Sequence, residues 1–368
     1  YSGSYMDAAN YNIYHTTREA WEAMLLSIAE AKHSIYWEMY ILVDDDAGNR
    51  FFDVLVRKAK EGVRIKIIID YWGSFWLSNK KIQELRAVGI DIRMFHPSSN
   101  PLFGFKDWLM RRTHRKILII DEKIGFVGGV NVHKSFEQWD DLVVKLQGKP
   151  VRSLLRSFAK FYIRCGGNKD EVRHMFKFRY RVRRDTFDFV YDDIDRTKSK
   201  IKRRYLDAIY KARERVILFS PYYFPDRHFL AALWAARKKN VRIDLLIPFR
   251  TDVRLATYAA YGWFALMTKR GVKVHLTKNM MHGKGIVVDD DLAFVGTSNL
   301  EHSSFDYNQE VNVSMTDKKA VAEVKGVVEK WIEDADELDR DEWRKRGKWA
   351  RFKERVAQKL YSYWFDVK

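Results

Sequence analysis

The sequence predicts an α/β fold made of two similar domains, each a mixed β-sheet flanked by helices. Three observations carry that prediction. The stretch THRKILIIDEKIGFVGGVN at residues 113–131 returns as MHGKGIVVDDDLAFVGTSN at 281–299. Six positions coincide at an offset of 168: His114 with His282, Lys116 with Lys284, Asp121 with Asp289, Phe126 with Phe294, Gly128 with Gly296 and Asn131 with Asn299. Helical and strand-like periodicities alternate in the same order ahead of both copies, so the repeat spans most of the chain. The 368 residues are more than one compact domain needs and comfortable for two.

Taken in order, residues 17–33 (TREAWEAMLLSIAEAKH) set Trp21, Met24, Leu25, Ile28 and Ala29 at helical spacing, and SIYWEMYIL follows as a buried strand. DAGNR turns the chain at 46–50, and FFDVLVRKAKEG is a second helix that Gly62 ends in the C-terminal capping position. VRIKIIID at 63–70 is a strand by its β-branched content. A helix over about 78–88, Gly89 and the strand IDIRMF precede a looser HPSSNPLFGF that leads to His114. The second half replays this order. KRRYLDAIYKARERVILFSPYYFPD supplies helix and strand, with Tyr222 opposite Tyr40; FLAALWAARKKNVRIDLLIP supplies the next pair; TYAAYGWFALMTKRGVKVHL supplies the last before His282. The join between halves is expected near 166–198, a highly charged, partly extended or loop-like segment, giving domains 1–175 and 176–368.

A net charge of +18 points to an anionic partner: nucleic acid, an acidic membrane surface or a phosphorylated substrate. The single cysteine, Cys165, excludes an internal disulfide framework and a cysteine-based zinc site. No apolar run reaches the roughly 20 residues of a spanning helix, and the first residues lack the regions of a signal peptide.

The repeated stretch defines the chemistry. In His-x-Lys on a strand, side chains two apart share a face, so an imidazole and an ammonium converge on one anion. Gly128 and Gly296 permit close backbone approach, and Asn131 and Asn299 add amide donors. A phosphodiester fits this set, because its non-bridging oxygens need cations and donors while its cleavage needs a nucleophile and an acid. A lone His or Lys is usually a solvated surface residue, but a surface pattern has no reason to recur at one offset. Asp121 and Asp289 read as supporting residues with a salt-bridge or hydrogen-bonding role.

Both stretches resemble the paired H-x-K-x4-D motifs of the phospholipase D superfamily over nearly the whole chain. EMYILVDDDAG, GVRIKIIIDYWGS, LRAVGIDIRMFHP, SPYYFPD and GTSNLEHSSFDYNQEVNV are further similar to bacterial-type cardiolipin synthases. The resemblance implies one active site at a pseudo-two-fold interface between the domains and a two-step displacement through a phosphohistidine. It implies His114 as nucleophile, His282 as general acid and base, and Lys116, Lys284, Asn131 and Asn299 as holders of the non-bridging oxygens, without a metal or other cofactor. Glu310, 28 residues after His282, and Asp141, 27 after His114, are the acids expected to hold the imidazole tautomers. One departure stands out: relatives often carry D-x-R-S-F after the second Asn, where this chain has Glu301, His302, Ser303, Ser304 and Phe305.

The implied activity joins two phosphatidylglycerol molecules into cardiolipin and glycerol, with a hydrolase releasing phosphatidic acid or a nuclease as alternatives. Aromatic and basic residues side by side support lipid over nucleic acid. NPLFGFKDWLMRR offers Phe103, Phe105, Trp108, Arg111 and Arg112, and the tail RKRGKWARFKERVAQKLYSYWFDVK offers Trp364 and Phe365. Packing into the core is the competing expectation for the tail, and YGWFALM at 261–267 reads as core. The implied partners are phosphatidylglycerol, cardiolipin and the membrane surface, with peripheral attachment to the cytoplasmic face of the cell membrane and allowance for a missing N-terminal anchor.

Overall fold

The computed structural model describes residues 10–96, 111–177, 186–193 and 199–365. Chain order in the first half is β1 (Tyr11–Thr16), α1 (Thr17–Glu30), β2 (Ser34–Met39), α2 (Asp46–Lys60), β3 (Arg64–Asp70), α3 (Asn79–Ala87), β4 (Asp91–Phe95), β5 (Ile117–Ile120), β6 (Ile124–Gly128), β7 (Asp140–Gln147) and α4 (Val151–Arg164). The second half follows with β8 (Phe187–Asp192), α5 (Lys200–Lys211), β9 (Arg215–Phe219), β10 (Tyr223–Phe224), α6 (Arg227–Lys238), β11 (Arg242–Pro248), α7 (Arg254–Lys269) and β12 (Lys273–Thr277). It is completed by β13 (Gly285–Val288), β14 (Leu292–Gly296), β15 (Leu300–Glu301), β16 (Glu310–Met315), α8 (Lys318–Glu333), β17 (Asp336–Glu337), α9 (Arg340–Lys345) and α10 (Lys348–Phe365).

The two sheets have the same topology. The first runs β1-β7-β6-β5-β2-β3-β4, and the second, after an added edge strand β17, runs β12-β11-β9-β13-β14-β16-β8, which is the first order read from the other end. In each, three parallel strands joined by helical crossovers continue into four antiparallel strands. The mixed α/β class read from the sequence is therefore the observed one. The repeat extends further than the periodicity reached, because β1 and β8 occupy matching edges. Within 166–198, expected to be partly extended or loop-like, β8 is the extended part: Phe187, Phe189 and Val190 are buried, and the strand pairs along the whole of β16.

Apolar side chains from both sheets merge into one core. Val127, Leu142 and Val144 of the first sheet pack with Val295, Val311 and Val313 of the second, and Phe158 of α4 and Trp331 of α8 close it. Residues 261–267 are core as expected, with Tyr261, Phe264 and Met267 buried. Among the described residues, no helix is long and apolar enough to cross a membrane.

Candidate active site

The two motif strands approach each other from opposite sheets, and backbone hydrogen bonds fix them. His114 N–H donates to Gln309 O at 3.0 Å, and Gln309 N–H donates to Arg112 O at 2.9 Å; the counterpart bonds run from His282 N–H to Asp140 O at 2.6 Å and from Asp140 N–H to Met280 O at 3.1 Å. Each motif histidine is thus bridged to the strand start that carries an acid of the other half.

The imidazole pairing follows from these bridges. His114 Nδ1 lies 3.1 Å from both carboxylate oxygens of Glu310, and His282 Nδ1 lies 2.7 Å from Asp141 Oδ2. Counting along the chain associates each acid with the histidine of its own half; the structure exchanges the partners. Glu310 also accepts from Thr297 Oγ1, and Asp141 is the residue that faces His282 while its neighbour Asp140 engages through backbone. With Nδ1 given to a carboxylate, Nε2 is the nitrogen each ring has for other work.

Burial sets the charge states of the site. It lowers the pKa of His114 to about 4, with the Lys116 charge adding to the drop and Glu310 opposing it, and it lowers that of His282, with Lys284 adding and Asp141 opposing. Both rings are therefore neutral near pH 7. Burial pushes Lys116 down to about 7 and Lys284 to about 8, although acids surround both. Each ammonium donates to the backbone carbonyl of its own motif histidine, Lys116 at 2.8 Å. The Lys284 charge adds to the drop at Lys116, so an anion bound beside these buried amines favours their charged forms. Burial raises the Asp141 carboxyl, but the His282 charge and hydrogen bond more than reverse this and hold it below its ordinary value.

The remaining motif residues do different work. Asp121 sits at φ 49° and accepts from the N–H groups of Lys32, His33 and Ser34 at 2.7–2.8 Å; Asp289, at φ 51°, accepts from those of Arg213, Glu214 and Arg215. These carboxylates tie the motif hairpins to the starts of β2 and β9, away from the imidazoles. A Cβ on Gly128 would stand 2.3 Å from Leu142 O, and one on Gly296 2.3 Å from Val311 O. Only glycine lets the strands bearing Asp141 and Glu310 come this close.

The site opens into a cavity of about 490 Å³ lined by His114, His282, Asn131 and Asn299. Tyr40 packs edge-on against His114 at 4.9 Å between ring centroids, and Trp139 stands 5.2 Å from His282. The two asparagines differ. Asn131 Oδ1 accepts from Ile41 N–H at 3.3 Å, which turns its amide nitrogen toward other partners, whereas Asn299 Nδ2 is 3.4 Å from Glu301 and its Oδ1 has no hydrogen-bond partner.

Several lining residues escaped the sequence reading. Arg112, expected at a membrane, lines the cavity and lies over the Trp72 ring; Arg111 is partly buried beside it. Phe103, Phe105 and Trp108 lie outside the described residues, as do the side chains of Trp364 and Phe365. Tyr361 of α10 reaches in, donates its hydroxyl to Glu301 and packs 4.6 Å from the Phe224 ring. The expectation of a packed tail holds for this face, which Ala357 shares. The opposite face bears Trp349, Phe352, Val356, Leu360 and Tyr363, all exposed and spaced at helical period.

Among the described residues, Asp226, His302 and Asp306 bring three potential metal-ligand atoms within 4.8 Å of one another. Both carboxylates are already paired with Lys202, and none of the three lines the cavity. The cluster reads as an ion-pair network.

Comparison with known proteins follows the same geometry. The family described as "Cardiolipin synthase, PLD-like domain" matches residues 24–162 and 205–332, one segment in each half. The chain belongs to this cardiolipin synthase, PLD-like domain family. Among its similar relatives, cardiolipin synthase 2 of Bacillus cereus is 32% identical over 354 residues, covering 93% of this chain and 68% of the relative. Cardiolipin synthase of Staphylococcus aureus is 30% identical over 363 residues, covering 95% and 72%. Among solved structures, phosphatidylserine synthase of Haemophilus influenzae superposes with a TM-score of 0.75 at 12% identity, over 96% of this chain and 92% of that one. Polyphosphate kinase from Porphyromonas gingivalis gives 0.62 at 12% identity, over 90% and 49%. At such identities these two share the fold alone. The family relationship places both halves of this chain within PLD-like domains, the arrangement that the crossed histidine pairs require.

Proposed function

We propose that the protein is a phosphatidyltransferase that joins two phosphatidylglycerol molecules into cardiolipin, releasing glycerol. The observation that carries the chemistry is the crossed arrangement, in which two neutral imidazoles, each backed by the other half's buried carboxylate, meet at one cavity, with the buried Lys116 and Lys284 amines held on the backbone carbonyls of those histidines. The cardiolipin synthases similar over more than nine-tenths of the chain support the substrate assignment.

In this reading the phosphodiester anion enters between Lys116 and Lys284 and supplies the negative charge that keeps both ammoniums protonated. Asn131 holds a non-bridging oxygen beside them. His114 Nε2 attacks phosphorus, the bond from phosphorus to the glycerol oxygen breaks, and the positive charge on the phosphorylated ring rests against Glu310. His282, protonated in the bound complex by virtue of Asp141 at 2.7 Å, gives its Nε2 proton to the departing glycerol. A hydroxyl of the second phosphatidylglycerol then gives its proton to His282 and attacks phosphorus, and His114 leaves.

The same relatives and the surface near the cavity support a location at an anionic bilayer. The exposed apolar row of α10 is flanked by exposed Lys348, Arg351, Lys353, Arg355 and Lys359. Exposed Val253 and Leu255 line the cavity from another direction. Phe75 and Trp76 project from the loop whose Ser74 bonds Tyr40. We assign this side to the membrane surface, in a peripheral attachment from the cytoplasmic face. Halves divided at 175/176 would then each offer one wall to the lipid.

The test is incubation with phosphatidylglycerol vesicles in chelator, followed by product analysis. Cardiolipin with equimolar glycerol is expected. Phosphatidic acid without cardiolipin would replace transfer by hydrolysis, and inertness toward lipid combined with cutting of single-stranded DNA would overturn the lipid assignment.

A further inference from the structure

The cavity has two chemically different walls. Among the described residues, the first half contributes Tyr40, Arg112, His114 and Asn131, with a guanidinium and no carboxylate. The second half contributes Asp252, Asn299 and Glu301 around His282. The difference is written into the repeat: at the 168-residue offset, the first half has His133 where the second has Glu301.

The second wall is built of acceptors. Glu301, 6% exposed, accepts from Ser303 Oγ at 2.7 Å and from the Tyr361 hydroxyl, and Asn299 Nδ2 lies 3.4 Å away. A carboxylate has about four acceptor sites, so these donors leave room for another. Asn299, 3% exposed, has its Oδ1 buried with no partner. An orphaned buried acceptor costs about 1–3 kcal/mol and is therefore a sign of an absent donor. Asp252, exposed at the rim, accepts from the Tyr222 hydroxyl at 2.5 Å. Carboxylates repel a phosphate, and hydroxyls are what they bind well.

Building on the phosphatidyl-transfer reading, we infer that this second-half wall is a hydroxyl-reading subsite that receives the glycerol headgroup of the acceptor, with Glu301 and Asp252 as specificity-determining residues. A 1,2-diol presents two O–H donors; one is deprotonated by His282 as it attacks phosphorus, and the other donates to Glu301 or Asn299 Oδ1. A simple alcohol lacks the second donor, and the second hydrogen of water sits on the attacking oxygen itself, without the two-carbon reach of a diol, so neither matches the wall. The subsite therefore favours transfer over hydrolysis, and it places the alcohol on the side of His282 while the phosphoryl group stays on His114.

The experiment supplies phosphatidylglycerol vesicles with equimolar labelled glycerol and ethanol to the wild type, Glu301→Gln and Asp252→Asn. Two ratios are read: cardiolipin to phosphatidic acid, which reports the lipid-borne headgroup, and labelled phosphatidylglycerol to phosphatidylethanol, which reports free glycerol. Both ratios should fall about tenfold in Glu301→Gln and about threefold in Asp252→Asn, the loss expected for a hydrogen bond to a charged group at a buried and an exposed position. Ratios within twofold of wild type in turning-over variants would overturn the subsite and leave the transfer reading intact. A wild type that makes neither product would overturn both. A fall confined to free glycerol would overturn the assignment to the lipid headgroup. Because Glu301 is buried, Asp252→Asn decides if the first variant fails to fold: an unchanged pair of ratios there overturns the proposal.

Discussion

Replacing Glu310 by Gln removes a charge while keeping the shape of the group behind His114. Glu310 is fully buried, both its oxygens stand 3.1 Å from His114 Nδ1, and Thr297 Oγ1 holds it in place. In the proposed first step the ring acquires positive charge as Nε2 bonds to phosphorus. Two unit charges about 4 Å apart at an effective dielectric of 20 interact by about 4 kcal/mol. A loss of that size from the transition state is about a thousandfold in rate. The neutral ring of the resting enzyme feels little of it, so the loss belongs in kcat, with a small change in KM. Rapid-quench measurement of phosphoenzyme formation on labelled phosphatidylglycerol reads the step directly, and a thermal melt checks that the fold persists. A Glu310→Gln protein that forms phosphoenzyme within about threefold of the wild-type rate would refute the role given to this carboxylate.

Three further outcomes follow from the same geometry. His114 in the fold has its pKa lowered from 6.5 to about 4, so the unfolded chain binds more protons between those values and stability must rise with pH across that window; urea titrations at pH 4.5 and 7 should show a pH-dependent loss of up to about 3 kcal/mol that His114→Asn removes. Lys116 must keep its charge, and its lowered pKa of about 7 makes kcat/KM fall as pH rises through that value; Lys116→Arg should move the alkaline limb up toward the value of about 8 held by Lys284, and an unmoved limb would exclude Lys116 as its origin. Changing Trp349, Phe352 and Tyr363 together to Ser should weaken binding to anionic vesicles at least tenfold while sparing a soluble phosphodiester, because these side chains face solvent. Deleting the whole tail is a poorer test, since it also removes Tyr361 from Glu301.

The sequence displayed the architecture wherever periodicity was strong. Strands such as β3 and β11 were legible from β-branched runs and α2 from Phe51 onward from its apolar face, but 46–50, expected as a turn, opens that helix, capped by the Asp45 side chain on Gly48 N–H; the offset of 168 linked the halves. Edge strands were not: β8 lies among charged residues, and its pairing with β16 together with the burial of Phe187 and Phe189 makes it a strand. The repeat spacing singles out His114 and His282, and the family resemblance points to Asp141 and Glu310, but the exchange of partners depends on how two sheets oppose and is not written along the chain. Glu301 was visible as a departure from D-x-R-S-F, though nothing in one dimension reveals that Tyr361, 60 residues on, would lean against it. Arg112 stands among apolar neighbours in the sequence, which points to a membrane contact, while the fold turns it into the cavity.

The central claim is that two duplicated halves form one site with a single covalent nucleophile. Single-turnover labelling with phosphatidylglycerol phosphorus, quenched in base because phosphohistidine is acid-labile and then mapped by peptide, tests it most directly. At most one phosphoryl group per chain is expected, on His114, formed but slow to discharge in His282→Ala. Label on both histidines, on His282 alone, or retained in His114→Ala would contradict it.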